Sequence, residues 1–113
     1  MKLPQNAIIA PAKLTEYLLK PKPFDDKSAF LLRAGYSREN WQQLEVDLRQ
    51  QILTRDAMFI EENIFGRKYQ IIGILTGRNN IELNIVTIWM FELATQNFKF
   101  ITLFPNKEKN REI

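Results

Sequence analysis

The sequence predicts an α+β fold, with three N-terminal helices packed on one face of a four-stranded antiparallel meander sheet. Apolar residues in the first half recur at spacings of three and four, whereas the second half is rich in alternating, β-prone runs. Four such runs are joined by short turns, which is typical of antiparallel strands. With 113 residues the chain can form one hydrophobic core. We expect a single domain over residues 1–105 and a polar tail over residues 106–113.

The first predicted helix covers about residues 12–19. Pro11 suits the first turn of a helix, and Pro21 follows where the helix must end. Lys13 and Tyr17 lie four residues apart in this segment. Their side chains should therefore project from the same side of the helix.

Two further helices are predicted before the strands begin. The second is short, with Asp25 or Asp26 as its cap and Gly35 as the left-handed residue that ends it. The third starts at Ser37 and is strongly amphipathic, with polar residues such as Asp47 between the apolar positions. Its apolar stripe consists of Trp41, Leu44, Leu48 and Ile52.

The predicted strands are four runs rich in isoleucine, valine and aromatic residues. They cover residues 58–62, 68–76, 81–92 and 98–104. The third run is apolar on both faces near its middle, so we expect it to be central in the sheet. A second apolar face is hard to hide within one small domain. We therefore expect a protein partner, or a second copy of the chain in a homodimer, to cover part of it.

The composition excludes several kinds of chemistry. The chain has no Cys and no His, which removes thiol nucleophiles, imidazole acid–base catalysis and the usual zinc ligands. The acidic residues show no ligand spacing, so no metal or other cofactor is expected. The N-terminus lacks the apolar stretch of a signal peptide, and no apolar run is long enough to span a bilayer. We expect a cytoplasmic protein that does not associate with membranes.

The charges are unevenly distributed along the chain. The whole chain carries a formal charge of +3, but residues 1–38 carry seven basic and three acidic side chains. Residues 39–62 carry two basic and six acidic side chains, and residues 63–113 carry seven and four. This segregation can produce a locally positive surface, as phosphate binding requires. The alternative is that helices and tails simply carry charges on their solvated sides.

Short motifs occur along nearly the whole chain. They include Leu3-Pro4-Gln5-Asn6-Ala7-Ile8-Ile9, Tyr17-Leu18-Leu19, Gly35-Tyr36, Asn40-Trp41, Phe65-Gly66-Arg67-Lys68-Tyr69, Val86-Thr87-Ile88-Trp89 and Ile101-Thr102-Leu103-Phe104-Pro105. Together they resemble an uncharacterised bacterial domain family, whose members occur as short free-standing proteins and as C-terminal toxin domains of polymorphic, contact-dependent toxins. The layout is similar at fold level to the barnase–EndoU–colicin–RelE group of metal-independent ribonucleases. The resemblance implies a toxin-like ribonuclease controlled by a cognate antitoxin-like partner.

The chain departs from this family at one point. Relatives often have Asn-Pro followed shortly by a histidine, where this sequence reads Lys20-Pro21-Lys22-Pro23-Phe24. If that histidine is the general base in the relatives, this chain is either inactive or uses a lysine in its place.

Cleavage of RNA without a metal requires a base for the 2′-hydroxyl, cations that stabilise the phosphorane and an acid for the leaving oxygen. Lysine, arginine and tyrosine can share these roles where neighbouring cations or burial lower the pKa of a lysine. The residues that fit catalytic roles are Lys13, Tyr17, Lys27 and Arg67. Those that fit substrate binding are Lys68, Tyr69, Thr87 and Thr102.

Each candidate also has a simpler structural interpretation. Lys13 fits a solvated helix residue, Tyr17 a core ring and Lys27 a first-turn ion pair, while basic residues after Gly66 are common in turns. The hydroxyl of Thr87, amid apolar neighbours, must find a hydrogen-bond partner somewhere. Two other functions stay open. One is a non-catalytic interaction module that uses the exposed sheet face, and the other is an RNA-binding domain that stacks bases on exposed aromatic rings.

Overall fold

The computed structural model describes residues 1–24 and 26–107. The helical segments are Lys13–Leu18, Ser28–Leu32, Arg38–Asn40, Trp41–Asp47 and Leu48–Ile52. The strands are β1 (Met58–Asn63), β2 (Gly66–Thr76), β3 (Glu82–Glu92) and β4 (Asn97–Pro105). Most of the predicted C-terminal tail lies outside the described residues.

The sheet confirms the predicted α+β class and the antiparallel meander. Its strand order is β1-β2-β3-β4, and every neighbouring pair is antiparallel. β3 was predicted to be central because it is apolar on both faces, and it has a partner strand on each side. All strand limits fall within two residues of the predicted ones. The alternating pattern and the turn residues were sufficient signals because both are local.

The helical part is less regular than the predicted set of three helices. Lys13–Leu18 and Ser28–Leu32 are short segments of six and five residues, and only residues 38–52 form a helical region of any length. That region passes from 3₁₀ to α to π geometry. The first segment is also π-helical, and the N–H of Leu19 donates to the carbonyl of Leu14 at 2.8 Å. An apolar stripe at spacings of three and four fits several helix types, so it could not distinguish them.

Three residues were predicted to mark where the second helix begins and ends and where the third begins. Lys27, and not Asp26, occupies the N-cap of the second segment and makes no side-chain cap hydrogen bond. Asp26 stands one residue earlier and accepts a hydrogen bond at 2.9 Å from the Ser28 N–H, whereas Asp25 lies outside the described residues. Gly35 has φ of +88°, the left-handed conformation predicted for it. Ser37 opens the third helical region in a capping box with Asn40, whose side chain accepts from the Ser37 N–H at 2.7 Å.

The hydrophobic core lies between the helical segments and one face of the sheet, and Trp41 is half-buried against it. The helical segments contribute Leu14, Leu18, Leu31, Leu44, Leu48 and Ile52. The sheet contributes Ile71, Leu75, Leu83, Ile85, Trp89, Phe100 and Leu103. This face of the sheet is called the inner face below.

The N-terminal segment pairs with the free edge of β4, which sequence reasoning did not predict. The N–H of Ile8 donates to the carbonyl of Phe98 at 2.8 Å, and the N–H of Phe100 donates to the carbonyl of Ile8 at 2.7 Å. This short parallel pairing covers part of the β4 edge. It also sets the start of the first helical segment beside β4, which matters for the site described next.

The opposite, open face of the sheet is apolar along its middle, as predicted. Val86 and Met90 on this face are only 8% exposed, because other parts of the chain itself cover them. Ile72 is 50% exposed and Ile74 is 38% exposed. Within the described residues, no helix is both long and apolar enough to cross a membrane.

Candidate functional site

Three lysines surround one tyrosine ring beside the β4 edge, and we call this group, with its threonine, the lysine–tyrosine cluster. The Nζ atoms of Lys13, Lys22 and Lys27 lie 5.5, 4.0 and 5.1 Å from the ring centroid of Tyr17. Lys27 Nζ also donates to the Tyr17 hydroxyl at 3.1 Å. That hydroxyl shares a second hydrogen bond, of 3.0 Å, with Thr102 Oγ1. All five side chains are half-buried.

The cluster combines residues that are far apart in the sequence. Lys13 and Tyr17 lie four residues apart on the first helical segment, and their side chains project from the same side of it, as predicted. Lys22 lies between two prolines in a stretch without regular secondary structure, and its Nζ lies over the ring. Lys27 directly precedes the second helical segment, and Thr102 belongs to β4. The contact between Tyr17 and Thr102 spans 85 positions of the chain.

The electrostatics of the cluster favour an anion. Since all three Nζ atoms lie within 5.5 Å of one centroid, any two are within roughly 11 Å, about the distance over which salt screens charge. Glu16, on the same helical segment, pairs instead with Arg38 at 2.9 Å and with Lys20 at 3.9 Å. The ammonium groups of Lys13 and Lys22 make cation–π contacts with this ring, and a lysine ammonium group has three N–H donors that suit a phosphate.

A groove of about 770 Å³ begins at Lys27 and extends along the end of the sheet. It is lined by Asp26, Lys27, Phe30, Val86, Phe104, Pro105, Asn106 and Lys107. Hydrogen bonds from the side chain and backbone of Ser28 lower the pKa of Asp26. Asp26 therefore carries a negative charge at neutral pH. Lys27 belongs both to this groove and to the lysine–tyrosine cluster, so the two features are contiguous.

The structure does not bring Arg67 into the cluster. Arg67 pairs across the sheet with Phe91, whereas Thr102 pairs with Ile88, three residues further along β3. That offset is about 10 Å along the strands, and β2 and β4 lie on opposite sides of β3. Arg67 is exposed and lies 3.7 Å from Glu62 in an ion pair. Lys68, the next residue of β2, pairs across the strands with Met90 and lies on the open face of the sheet, 3.6 Å from Glu61 in an ion pair.

Tyr69 and Thr87, two of the predicted binding residues, belong to the core. Tyr69 is 7% exposed, and its ring packs against Phe59 and Phe98 at centroid distances of 5.9 Å. Thr87 is fully buried, and its hydroxyl donates to the carbonyl of Ile71 at 3.0 Å. The same hydroxyl accepts from the indole N–H of Trp89 at 2.7 Å. The expected partners of this threonine hydroxyl are therefore found within the fold.

Sequence reasoning missed Lys22 and the aromatic groove. Lys22 gave no periodic signal because it lies in a proline-flanked stretch rather than on a helix. The available signal was the excess of lysines between residues 13 and 27. Phe104 was assigned to a strand, and nothing in the pattern distinguished an exposed ring from a core ring. In the described part of the chain, no group of three or more acidic residues is placed to hold a metal ion.

The fold and the cluster together define a small α+β domain with a cationic site at one edge of an antiparallel meander. A family model described as "Domain of unknown function (DUF6883)" matches residues 2–107, and the chain belongs to this family. Comparison with curated proteins and with solved structures gives no match. The family description names no activity. The function must therefore be argued from the site.

Proposed function

We propose that this protein is a toxin-like, metal-independent endoribonuclease that acts at the lysine–tyrosine cluster. One observation supports this most directly. Three of the four residues predicted to be catalytic, Lys13, Tyr17 and Lys27, lie together around one ring with hydrogen-bond contact between two of them. Thr102, predicted to bind substrate, completes the same group. A solvated helix face would not place lysines from separate segments around one tyrosine.

The proposed reaction is an internal transesterification. The ribose 2′-oxygen attacks the adjacent phosphorus, the bond from phosphorus to the 5′-oxygen breaks, and a 2′,3′-cyclic phosphate and a 5′-hydroxyl are formed. The proton leaves the 2′-hydroxyl for a base, and the 5′-oxygen receives one from an acid. Tyr17 and Lys27 are hydrogen-bonded to each other and serve as the proton-transfer pair. Lys13 and Lys22 stabilise the negative charge that develops on the phosphorane.

Thr102 and Arg67 have different places in this proposal. Thr102 holds the Tyr17 hydroxyl at 3.0 Å and is therefore a positioning residue. Arg67 takes no part in the chemical step, since it lies on another strand and pairs with Glu62. Its remaining role would be to contact a longer RNA along the sheet.

The test is cleavage of a single-stranded RNA by purified protein in the presence of EDTA. We expect cleavage by the wild type and a loss of about 100-fold or more in Lys13→Ala, because removing one charge-stabilising group typically costs this much. Lys20→Ala is the matched control, since Lys20 belongs to the same region but pairs with Glu16. Intact RNA with the wild type, or equal rates in Lys13→Ala and Lys20→Ala, would contradict the proposal.

The toxin-like role requires control by a cognate antitoxin-like partner in the cytoplasm, because a free ribonuclease would degrade the RNA of its own cell. Induced expression without the partner should slow bacterial growth and degrade RNA. Lys13→Ala should restore growth at an equal protein level. Normal growth and intact RNA at high wild-type expression would argue against this role.

The second candidate function is a non-catalytic interaction module that binds a protein through the open sheet face. The exposure of Ile72 and Ile74 on that face favours it. This module would leave RNA intact, and Ile74→Lys would abolish partner binding without affecting the fold.

A further inference from the structure

The groove next to the cluster has the composition of a base-stacking site. Two of its lining residues are the aromatic side chains of Phe30 and Phe104, and two more, Val86 and Pro105, are apolar. Phe30 is half-buried against the core, so its ring is held in place, whereas Phe104 is 38% exposed. Aromatic faces at the edge of a polar surface can accept a nucleobase of any sequence.

The charges around the groove favour a nucleic acid over a peptide or a lipid. Lys27 lines the groove near the cluster, and Lys107 also lines it. Lys13 and Lys22 lie just beyond Lys27, around the Tyr17 ring. A nucleic-acid strand matches this arrangement, because its flat bases alternate with regularly spaced, negatively charged phosphates. The volume of about 770 Å³ is within the range of about 300–1,000 Å³ found for small-molecule sites.

Among the residues that the structure describes, Asp26 is the one carboxylate that lines the groove. It would repel a phosphate placed directly against it, so the phosphate must lie toward the lysines of the cluster. The carboxylate can instead accept a hydrogen bond from an exocyclic amino group on the edge of a base. The backbone of Asn106, which also lines the groove, is held by its N–H, which donates to the carbonyl of Asn84 at 2.9 Å.

We propose that this groove binds one unpaired nucleobase of single-stranded RNA, next to the phosphodiester held by the lysine–tyrosine cluster. The proposal rests on the proposed ribonuclease function, because it assigns the substrate class of the same site. A base that enters the groove must be unstacked from its neighbours. Double-stranded RNA is therefore a poor ligand, and the specificity is for single strands.

The test uses a fluorescent single-stranded 2′-O-methyl oligonucleotide, which cannot be cleaved because its 2′-oxygen carries no proton. Fluorescence anisotropy gives its affinity for the wild type and for Phe104→Ala. We expect Phe104→Ala to weaken binding about tenfold, the size of one lost stacking contact. The matched control is Ile72→Ala, because Ile72 is an exposed apolar residue on the same sheet face that does not line the groove. It should bind as the wild type does.

A second measurement distinguishes a base contact from a general change in the fold. A series of the same oligonucleotides with one abasic position each should contain a position that weakens wild-type binding about tenfold. That position should have no further effect on Phe104→Ala. If Phe104→Ala does not fold, as judged by circular dichroism, Phe104→Leu keeps the apolar volume and removes only the ring.

The outcomes separate this inference from the ribonuclease proposal. Equal affinities of the wild type and the Phe104 variants, equal binding of all abasic oligonucleotides, or no oligonucleotide binding at all would overturn the inference. Cleavage of RNA with unchanged affinity in Phe104→Ala would leave the ribonuclease proposal standing alone. Base-dependent binding without RNA cleavage would support the groove assignment and contradict the catalytic role.

Discussion

Replacing Tyr36 with phenylalanine should destabilise the fold by an amount that depends on pH. Tyr36 is 2% exposed, and its hydroxyl donates to Asp47 Oδ2 at 2.6 Å and lies 3.3 Å from the carbonyl of Thr76. Asp47 is itself buried, and its other oxygen accepts from Gln43 at 2.9 Å. The variant leaves one oxygen of a buried carboxylate without its donor. Hydrogen bonds to charged groups contribute about 1.5–3 kcal/mol, so we expect a loss of about 2 kcal/mol at pH 7.

The pH dependence follows from the ionisation of the tyrosine. Burial first, and then the hydrogen bond to Asp47 and its charge, raise the pKa of Tyr36 well above its ordinary value. The unfolded chain loses this proton above about pH 10, while the folded protein keeps it. The stabilisation from Tyr36 is thus fully present below pH 10. It falls by up to about 1.4 kcal/mol per pH unit above that point.

The assay is urea denaturation of the wild type and Tyr36→Phe at pH 7, 9 and 11. The difference in free energy of unfolding between the two proteins should be about 2 kcal/mol at pH 7 and 9, and it should shrink by about 1.4 kcal/mol at pH 11. Comparing the two proteins at each pH cancels the titration of groups that they share. Equal stability at pH 7, or a difference that stays constant up to pH 11, would refute the reasoning.

Three other substitutions test separate parts of the structure. Tyr17→Phe keeps the ring but removes the hydroxyl, so RNA cleavage should fall about 100-fold or more while thermal denaturation shows a loss of only about 1 kcal/mol. Thr87→Val leaves the buried indole N–H of Trp89 without an acceptor, which should cost about 1–3 kcal/mol in urea denaturation; unchanged stability would show that the N–H finds another partner. Gly77→Ala would place a Cβ in a clash with the backbone carbonyl oxygen of Ala34, and overpacking of this kind costs about 1–3 kcal/mol or more. A melting temperature equal to that of the wild type would contradict that expected clash.

The sheet was predictable because its signals are local. Alternation of apolar and polar side chains and the turn residues fixed the strands to within two positions. The pairing of Ile8 with the β4 edge was not predictable, because it joins segments about 90 residues apart and has no local signature. The helical region between residues 38 and 52 was found, but its 3₁₀ and π turns were not. The spacing of apolar residues does not show whether each N–H donates to the carbonyl three, four or five residues earlier, which is what distinguishes these helix types.

Part of the candidate site was predictable because two of its residues are close together in the sequence. Lys13 and Tyr17 are neighbours on one helical segment, so their spacing already indicated a common side. Lys22 and Phe104 were missed because only the tertiary fold brings them to the cluster and the groove. Asp47 was placed with the polar residues of an amphipathic helix, yet it is buried and bound to Tyr36. A carboxylate with a dedicated donor cannot be told from a solvated one by spacing alone.

The chemical identity of the RNA ends tests the central claim most directly. A short RNA of defined sequence is incubated with the wild type in EDTA, and the fragments are analysed by mass spectrometry. Transesterification at the lysine–tyrosine cluster predicts a 2′,3′-cyclic phosphate, or the monophosphate formed by its hydrolysis, and a 5′-hydroxyl. Tyr17→Phe should leave the RNA nearly intact. Fragments with 5′-phosphate ends, or RNA that the wild type leaves uncut, would contradict the account.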